Sequence, residues 1–144
     1  LGAALAGRYP ELGPPLSGYG LPLGEAFQLR DDVLGAFGET ALTGKPVGDD
    51  LREGKPTPLL AIATRRATSS QATQLERIGS RDLHGDEVAA LQALLVETGA
   101  VEAVEADIAR LRDEAIVAIE HTPIAEQAQT ELVALARYVA SRER

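Results

Sequence analysis

Val101, Val104, Ile108, Leu111 and Ala115 recur at alternating steps of three and four residues, the spacing that lines up side chains on one face of an α-helix. A half-buried strand would alternate every second residue, so the stripe excludes sheet here and predicts a helix ending near His121. At 1.5 Å per residue that helix spans roughly 30 Å. Its neighbours read the same way. Asp86 is placed to cap a helix in which Val88, Leu91, Leu94 and Leu95 share a face, and Gly99 is placed to end it. Pro123 allows a restart, after which Ile124, Ala128, Leu132, Leu135 and Val139 line a last helix. Glu and Arg fill the opposite faces, so these three helices are expected to pack antiparallel through short connections, as scaffold.

Composition extends the inference to the whole chain. Hydrophobic residues make up 44% and aromatics only 3%, so the core must be built from Ala, Leu, Val and Ile. That is a helical composition, because sheets favour aromatic and β-branched residues. An all-α fold of one domain is expected from 144 residues. The net charge of −8 argues against a nucleic-acid partner, which needs a basic surface. The absence of cysteine excludes a disulfide scaffold or thiolate metal site and suits a cytoplasmic protein. No apolar run approaches the roughly 20 residues of a membrane span, and no signal peptide is recognisable.

The first half is less regular. "LGAALAG" is apolar and helical from its first residue, with no Met, cap or polar lead-in, and reads as a helix whose earlier part is missing. "RYPELGPPLSGYGLPLG" is too rich in Pro and Gly for one continuous element, so it is expected to join two helices, the second starting between Leu16 and Gly24. That second helix runs through "EAFQLRDDVLGAFG". From Gly38, "ETALTGKPVGDDLREGKPTP" is expected to form a loop of about 20 residues, a length that is often functional. Thr57 and Pro58 then suit the cap and first turn of a helix over "TPLLAIATRRA", and "QATQLERIG" suits a short helix.

Chemistry concentrates between Phe27 and Lys55. On a helix, Gln28 can share a face with Asp31 and Asp32, while Leu29, Val33 and Phe37 follow a buried stripe. Adjacent carboxylates repel unless a cation lies between them, and Mg²⁺ takes hard oxygens from one or two carboxylates plus waters and phosphates. Lys45 and Lys55, in a glycine-rich loop, suit diphosphate oxygens. Each residue also has a plainer reading. An Asp pair on a helix and a lysine in a loop are most often solvated, Gly44 and Gly48 can serve turns, and Asp49-Asp50 can cap a short helix. His84 and His121 fall at helix ends, where capping or solvation accounts for them. Thr43 reads as a turn residue and Arg65-Arg66 as a solvated patch. Tyr9, Tyr19 and Tyr138 are too scattered for an aromatic platform.

The run Phe27-Gln28, Asp31-Asp32, Gly44-Lys45, Gly48, Asp50 and Lys55 resembles the second aspartate-rich region of the trans-type isoprenyl diphosphate synthases: F-Q, D-D-x-x-D, then G-K-x-x-G-x-D and a further lysine. The likeness is closest to the bacterial geranylgeranyl-type enzymes, actinobacterial ones in particular. The specific match covers residues 1–60, and residues 61–144 are compatible with the family's C-terminal helices, so the chain reads as the C-terminal part of one isoprenoid synthase domain whose N-terminal part is missing. The third motif aspartate falls at Gly35, so that ligand is missing or supplied by another group, such as Glu39 or Asp32. The first aspartate-rich motif and the basic residues that hold isopentenyl diphosphate lie upstream in the family.

The resemblance implies antiparallel helices around a central cavity and a prenyltransferase that condenses isopentenyl diphosphate with an allylic diphosphate. It implies Mg²⁺ on Asp31 and Asp32, Lys45 and Lys55 on the substrate diphosphate, Gln28 at the reacting end of the cavity, Phe27 on its wall, and a homodimer. Two other classes compete. A non-catalytic synthase-like regulatory subunit would differ by lacking the upstream motif. A class I terpene cyclase usually carries an Asn/Asp-Ser/Thr-Glu motif in place of D-D followed by G-K-x-x-G.

Overall fold

The computed structural model of the chain describes residues 1–38 and 47–142. Among these residues every regular element is helical: α1 (Gly2–Leu5), α2 (Tyr9–Phe37), α3 (Asp49–Glu53), α4 (Pro58–Arg66), α5 (Ser69–Leu75), α6 (Gly85–Glu97), α7 (Ala100–Glu120) and α8 (Glu126–Ser141). The all-α class expected from the aliphatic composition holds. The chain divides into two compact units, Leu1–Gln28 with Asp107–Arg142 in one and Leu29–Ala106 in the other, and α2 and α7 contribute residues to both. No described helix is long and apolar enough to cross a membrane.

The Pro/Gly-rich segment is not a connection between two helices. It is the first half of α2, which runs unbroken from Tyr9 through Pro14, Pro15 and Pro22 to Phe37. Pro10 loses nothing there, since the first N–H groups of a helix have no intrahelical partner. The later prolines each cost about 3 kcal/mol in a helix interior. Against them, α2 buries Leu12, Tyr19, Leu23, Leu29 and Val33, at about 1.5–3 kcal/mol per large side chain. Leu12, Leu16, Tyr19, Leu23 and Ala26 keep helical spacing straight through the prolines. Burial of that face decides the conformation.

In the first unit, Tyr19 and Leu23 of α2 pack with Ala115 and Ile119 of α7 and Ala136 and Val139 of α8. A Cβ on Gly18 would stand 3.4 Å from the Cβ of Ala118, an ordinary van der Waals contact, so the two helices lie close there. The Tyr19 hydroxyl donates to the Leu132 carbonyl across 2.7 Å, and burial raises its pKa above the ordinary tyrosine value. At the end of α7, Thr122 donates to the Ala118 carbonyl and Gln129 donates to that of Thr122, meeting carbonyls a helix end leaves open. The buried face of α8 is Ala136, Val139 and Ala140, with Leu132 partly buried against the cluster. Ala128 and Leu135 point outward, contrary to the expected stripe. Alanine-rich sequence offers two apolar rows a few residues apart, and packing selects one.

In the second unit, Thr57 caps α4 by accepting from the Leu60 N–H, and Pro58 opens the helix, as expected. Thr68 and Gln71 form a capping box on α5. The cap of α6 is His84, not Asp86: Glu87 reaches back to accept the His84 backbone N–H at 3.1 Å, and Asp86 lies in the first turn. Val88, Leu91, Leu94 and Leu95 are buried as their spacing predicts, and α4 and α5 both pack on α6. Gly99 adopts φ 68° after α6. Its carbonyl accepts from Arg66 at 2.8 Å, so one half of the expected solvated arginine pair serves a helix junction. Arg30 grips Glu105 with two bonds of 2.6 and 2.7 Å.

Candidate functional site

The carboxylate of Asp32 is buried, with 4% of the residue exposed, because α2 turns its Leu29, Val33 and Ala36 face into the second unit and carries Asp32 with it. A buried carboxylate needs a partner. Lys55 supplies one: its ammonium lies 2.8 Å from Asp32 Oδ1 and 3.3 Å from Asp50 Oδ2. Hydrogen bonding to Asp32, with smaller contributions from the charge of Asp32 and from Asp50, raises the Lys55 pKa above the ordinary lysine value. Asp31, next along α2, is partly buried.

The backbone that presents Lys55 is fixed by glycines. Gly48 begins α3 at φ 72° and Gly54 ends it at φ 66°, both left-handed conformations that cost a side-chain-bearing residue about 1–2 kcal/mol. A Cβ on Gly54 would come within 2.8 Å of the Gly79 α-carbon, so two backbones touch where the chain leaves α3. The Gly79 N–H donates to the Leu51 carbonyl at 2.8 Å, and the Lys55 N–H to that of Asp50 at 3.1 Å. Arg52 adds bonds to the Val47 and Leu83 carbonyls. Lys55 therefore stands on a tethered turn.

Gly35 lies one turn beyond Asp31 and Asp32. A Cβ built there would overlap the carboxyl group of Asp50, the farther oxygen being only 2.9 Å away. Asp50 is buried, with 8% exposed, and its carboxyl lies against the bare α-carbon of Gly35. Beneath the cluster, between Ala36, Leu51, Thr57 and Leu95, the cavity holds about 10 Å³, so these side chains close on one another.

Among the described residues no three His, Cys, Asp or Glu side chains are grouped so as to hold a metal ion. Asp31 and Asp32 offer two hard oxygen donors, which is not a cage. They fit Mg²⁺ in its usual role, bound through one or two carboxylates with waters and substrate phosphates completing the octahedron.

The expected site residues thus divide. Asp31, Asp32 and Lys55 fall in the second unit, and Asp32 meets Lys55 directly. Lys45, with Thr43 and Glu39, lies outside the described residues. Phe27 and Gln28 fall in the first unit. Phe27 is half exposed there, with the Arg142 guanidinium 3.7 Å over its ring, a contact that nothing in the spacing of the sequence announces. Asp50 was legible as a motif position, but its approach to Gly35 was not, because a tertiary turn creates it.

The chain matches the family model described as polyprenyl synthetase over residues 1–95. The chain belongs to the polyprenyl synthetase family. Its relatives within that family include a (2E,6E)-farnesyl diphosphate synthase of Mycobacterium tuberculosis, 33% identical over 99% of this chain and 41% of the relative. An octaprenyl diphosphate synthase of Escherichia coli is 36% identical over 97% and 43%. Among solved structures, the geranylgeranyl pyrophosphate synthase of Corynebacterium glutamicum, complexed with isoprenyl diphosphate and magnesium, superposes with a TM-score of 0.92 at 40% identity, covering 98% of this chain and 40% of that one. The chain spans about two-fifths of the length of these family members.

Proposed function

We propose that this chain forms the C-terminal part of a trans-type prenyl diphosphate synthase, which condenses isopentenyl diphosphate with an allylic diphosphate. The observation that carries the reading is the Asp32–Lys55 pair at 2.8 Å, next to Asp31, in a member of the polyprenyl synthetase family. Asp31 and Asp32 would hold Mg²⁺, the ion found with an isoprenyl diphosphate in the Corynebacterium glutamicum enzyme. When bound, Mg²⁺ supplies Lewis-acid neutralisation of the diphosphate oxygens.

The chain's own residues do the rest. Lys55, cationic throughout the physiological range, donates to the substrate diphosphate and stabilises the negative charge that grows on it as the allylic carbon–oxygen bond breaks. The isopentenyl double bond attacks the allylic carbon, a proton leaves the new chain, and diphosphate is released, lengthening the product by one isoprene unit. The family resemblance further assigns Lys45 to the diphosphate, Gln28 to the reacting end of the substrate and Phe27 to the cavity wall. Homodimerisation and a cytoplasmic setting belong to the same proposal.

Asp31→Ala in the full-length protein tests it. Loss of one group that stabilises transition-state charge costs on the order of 10²-fold in turnover. Incorporation of labelled isopentenyl diphosphate at saturating Mg²⁺ should fall by that much while the helical circular dichroism is retained. Wild-type turnover by Asp31→Ala would defeat the assignment.

A further inference from the structure

The third position of the D-D-x-x-D pattern is Gly35, and the structure shows what occupies its space. The carboxyl group of Asp50 overlaps the volume a Cβ at position 35 would fill, with Oδ1 2.9 Å from it. The same carboxylate accepts from Lys55 at 3.3 Å, while Asp32 accepts from Lys55 at 2.8 Å. A lysine ammonium has three N–H donors on a flexible stem. Two acceptors that are themselves buried, Asp32 and Asp50, take two donors and thereby aim the third. The Lys55 side chain keeps 40% of its surface exposed, so the third donor has an outlet.

We propose that Asp50 is a positioning residue for the reaction: lodged against the bare α-carbon of Gly35, it works with Asp32 to fix the direction from which Lys55 meets the substrate diphosphate. The proposal rests on the reading, given above, that Lys55 contacts that diphosphate. Gly35 and Asp50 then act as one unit. Asp50 has few alternatives, because its side chain is short and buried and its backbone carbonyl is committed to the Lys55 N–H at 3.1 Å. A side chain at position 35 would drive the carboxylate off both Gly35 and Lys55. A glycine in place of the motif's third aspartate is, in this arrangement, a requirement for the acid that arrives from α3.

The test is a mutant cycle in the full-length protein, read by the affinity for inorganic pyrophosphate in the presence of Mg²⁺, by the KM for the allylic diphosphate against kcat, and by the thermal midpoint. Lys55→Ala, the reference, should weaken pyrophosphate binding by about tenfold, as for loss of a charged hydrogen bond. Asp50→Ala and Gly35→Ala should each approach that loss and raise KM more than they lower kcat. Adding Gly35→Ala to Asp50→Ala should change affinity by less than about twofold, because the clash is gone. Asp50→Asn, which keeps the shape and one acceptor oxygen but loses the charge, should restore the thermal midpoint yet recover only part of the affinity, a split that a merely structural role would not produce. If Lys55→Ala weakens binding but Asp50→Ala does not, or if the Gly35 and Asp50 effects multiply, the proposal is overturned. If Lys55→Ala leaves pyrophosphate affinity unchanged, the diphosphate reading of Lys55 fails first and takes the proposal with it. A variant that melts early is judged by its partner in the cycle: rescue of the Gly35→Ala midpoint by Asp50→Ala supports the clash, and no rescue refutes it.

Discussion

Lys55 reaches Asp32 from 23 positions further along the chain and sets its ammonium 2.8 Å from a carboxylate that has almost no contact with water. Removing one partner of a buried pair costs several kcal/mol. Here the lysine side is 40% exposed, so solvent screening reduces the figure to about 1–2 kcal/mol. Lys55→Met, which keeps the stem and removes the charge, should lower the urea midpoint by that amount.

The pair also has a predictable pH dependence. The hydrogen bond to Asp32 is the largest of the causes that raise the Lys55 pKa. A raised pKa means that the folded state holds its proton more tightly, so the stabilisation is complete below the ordinary lysine value, about 10.4. It is lost as pH rises through the raised folded value. The stability difference between wild type and Lys55→Met should therefore change little between pH 7 and 9 and shrink above pH 10.

Much of this architecture is legible in the sequence, and the failures share one cause. Val104, Ile108, Leu111 and Ala115 are buried as their spacing demands, and Thr57 caps α4 as its residue type demands. Both depend on neighbours along the chain. The start of α2 departs from the sequence expectation because Pro14, Pro15 and Pro22 disfavour a helix locally, whereas the face they interrupt is stabilised by distant partners such as Leu132. The rotation of α8 away from Leu135 has the same origin. At the site, the residue types of Asp31, Asp32 and Lys55 are visible through the motif. The Asp50 carboxyl against Gly35 is not, since it depends on the turn at Gly54 and its contact with Gly79.

Tyr19 offers a test of the first unit alone. Its hydroxyl donates to the Leu132 carbonyl at 2.7 Å, and burial raises its pKa from the usual 10.0. Tyr19→Phe should cost about 1 kcal/mol, the net worth of one hydrogen bond with part of the penalty for a carbonyl left without it. The raised pKa means that the contribution is full below pH 10 and fades as pH rises through the folded value. Alkaline melting curves of the two proteins should therefore converge, and a constant gap to pH 12 would contradict the burial that holds the hydroxyl protonated.

The glycines of α2 separate cost from need. A Cβ at Gly20 or Gly24 would meet nothing within 4 Å, and both are interior helix positions. Gly20→Ala and Gly24→Ala should each raise stability by about 0.5–1 kcal/mol. Gly48 is the opposite case, with φ 72° and a Cβ that would overlap Val88 Cγ1. Gly48→Ala should cost at least about 1–2 kcal/mol from the backbone alone. Thermal midpoints of the three variants should fall on opposite sides of wild type, and equal shifts would refute the packing described for α2 and α3.

Residues 1–144 alone should not elongate a prenyl chain. Ionising an allylic diphosphate requires cations around the departing group, and the described residues hold no group of three carboxylate or imidazole side chains able to bind a metal. Four acids of α7 are engaged by arginines: Asp107 and Glu114 pair with Arg110, Asp113 with Arg112, and Glu105 with Arg30. Lys55 directs two of its donors to Asp32 and Asp50. The cavity beneath them, about 10 Å³, is far below the roughly 300 Å³ at which ligand pockets begin. In the proposed reading, a second acidic surface from a longer synthase chain would complete the site. Purified residues 1–144, given labelled isopentenyl diphosphate, an allylic primer and Mg²⁺, should therefore form no extractable prenyl product, while the full-length protein does. Product from residues 1–144 alone would mean that Asp31, Asp32 and Lys55 suffice for ionisation, and that no second acidic surface is needed.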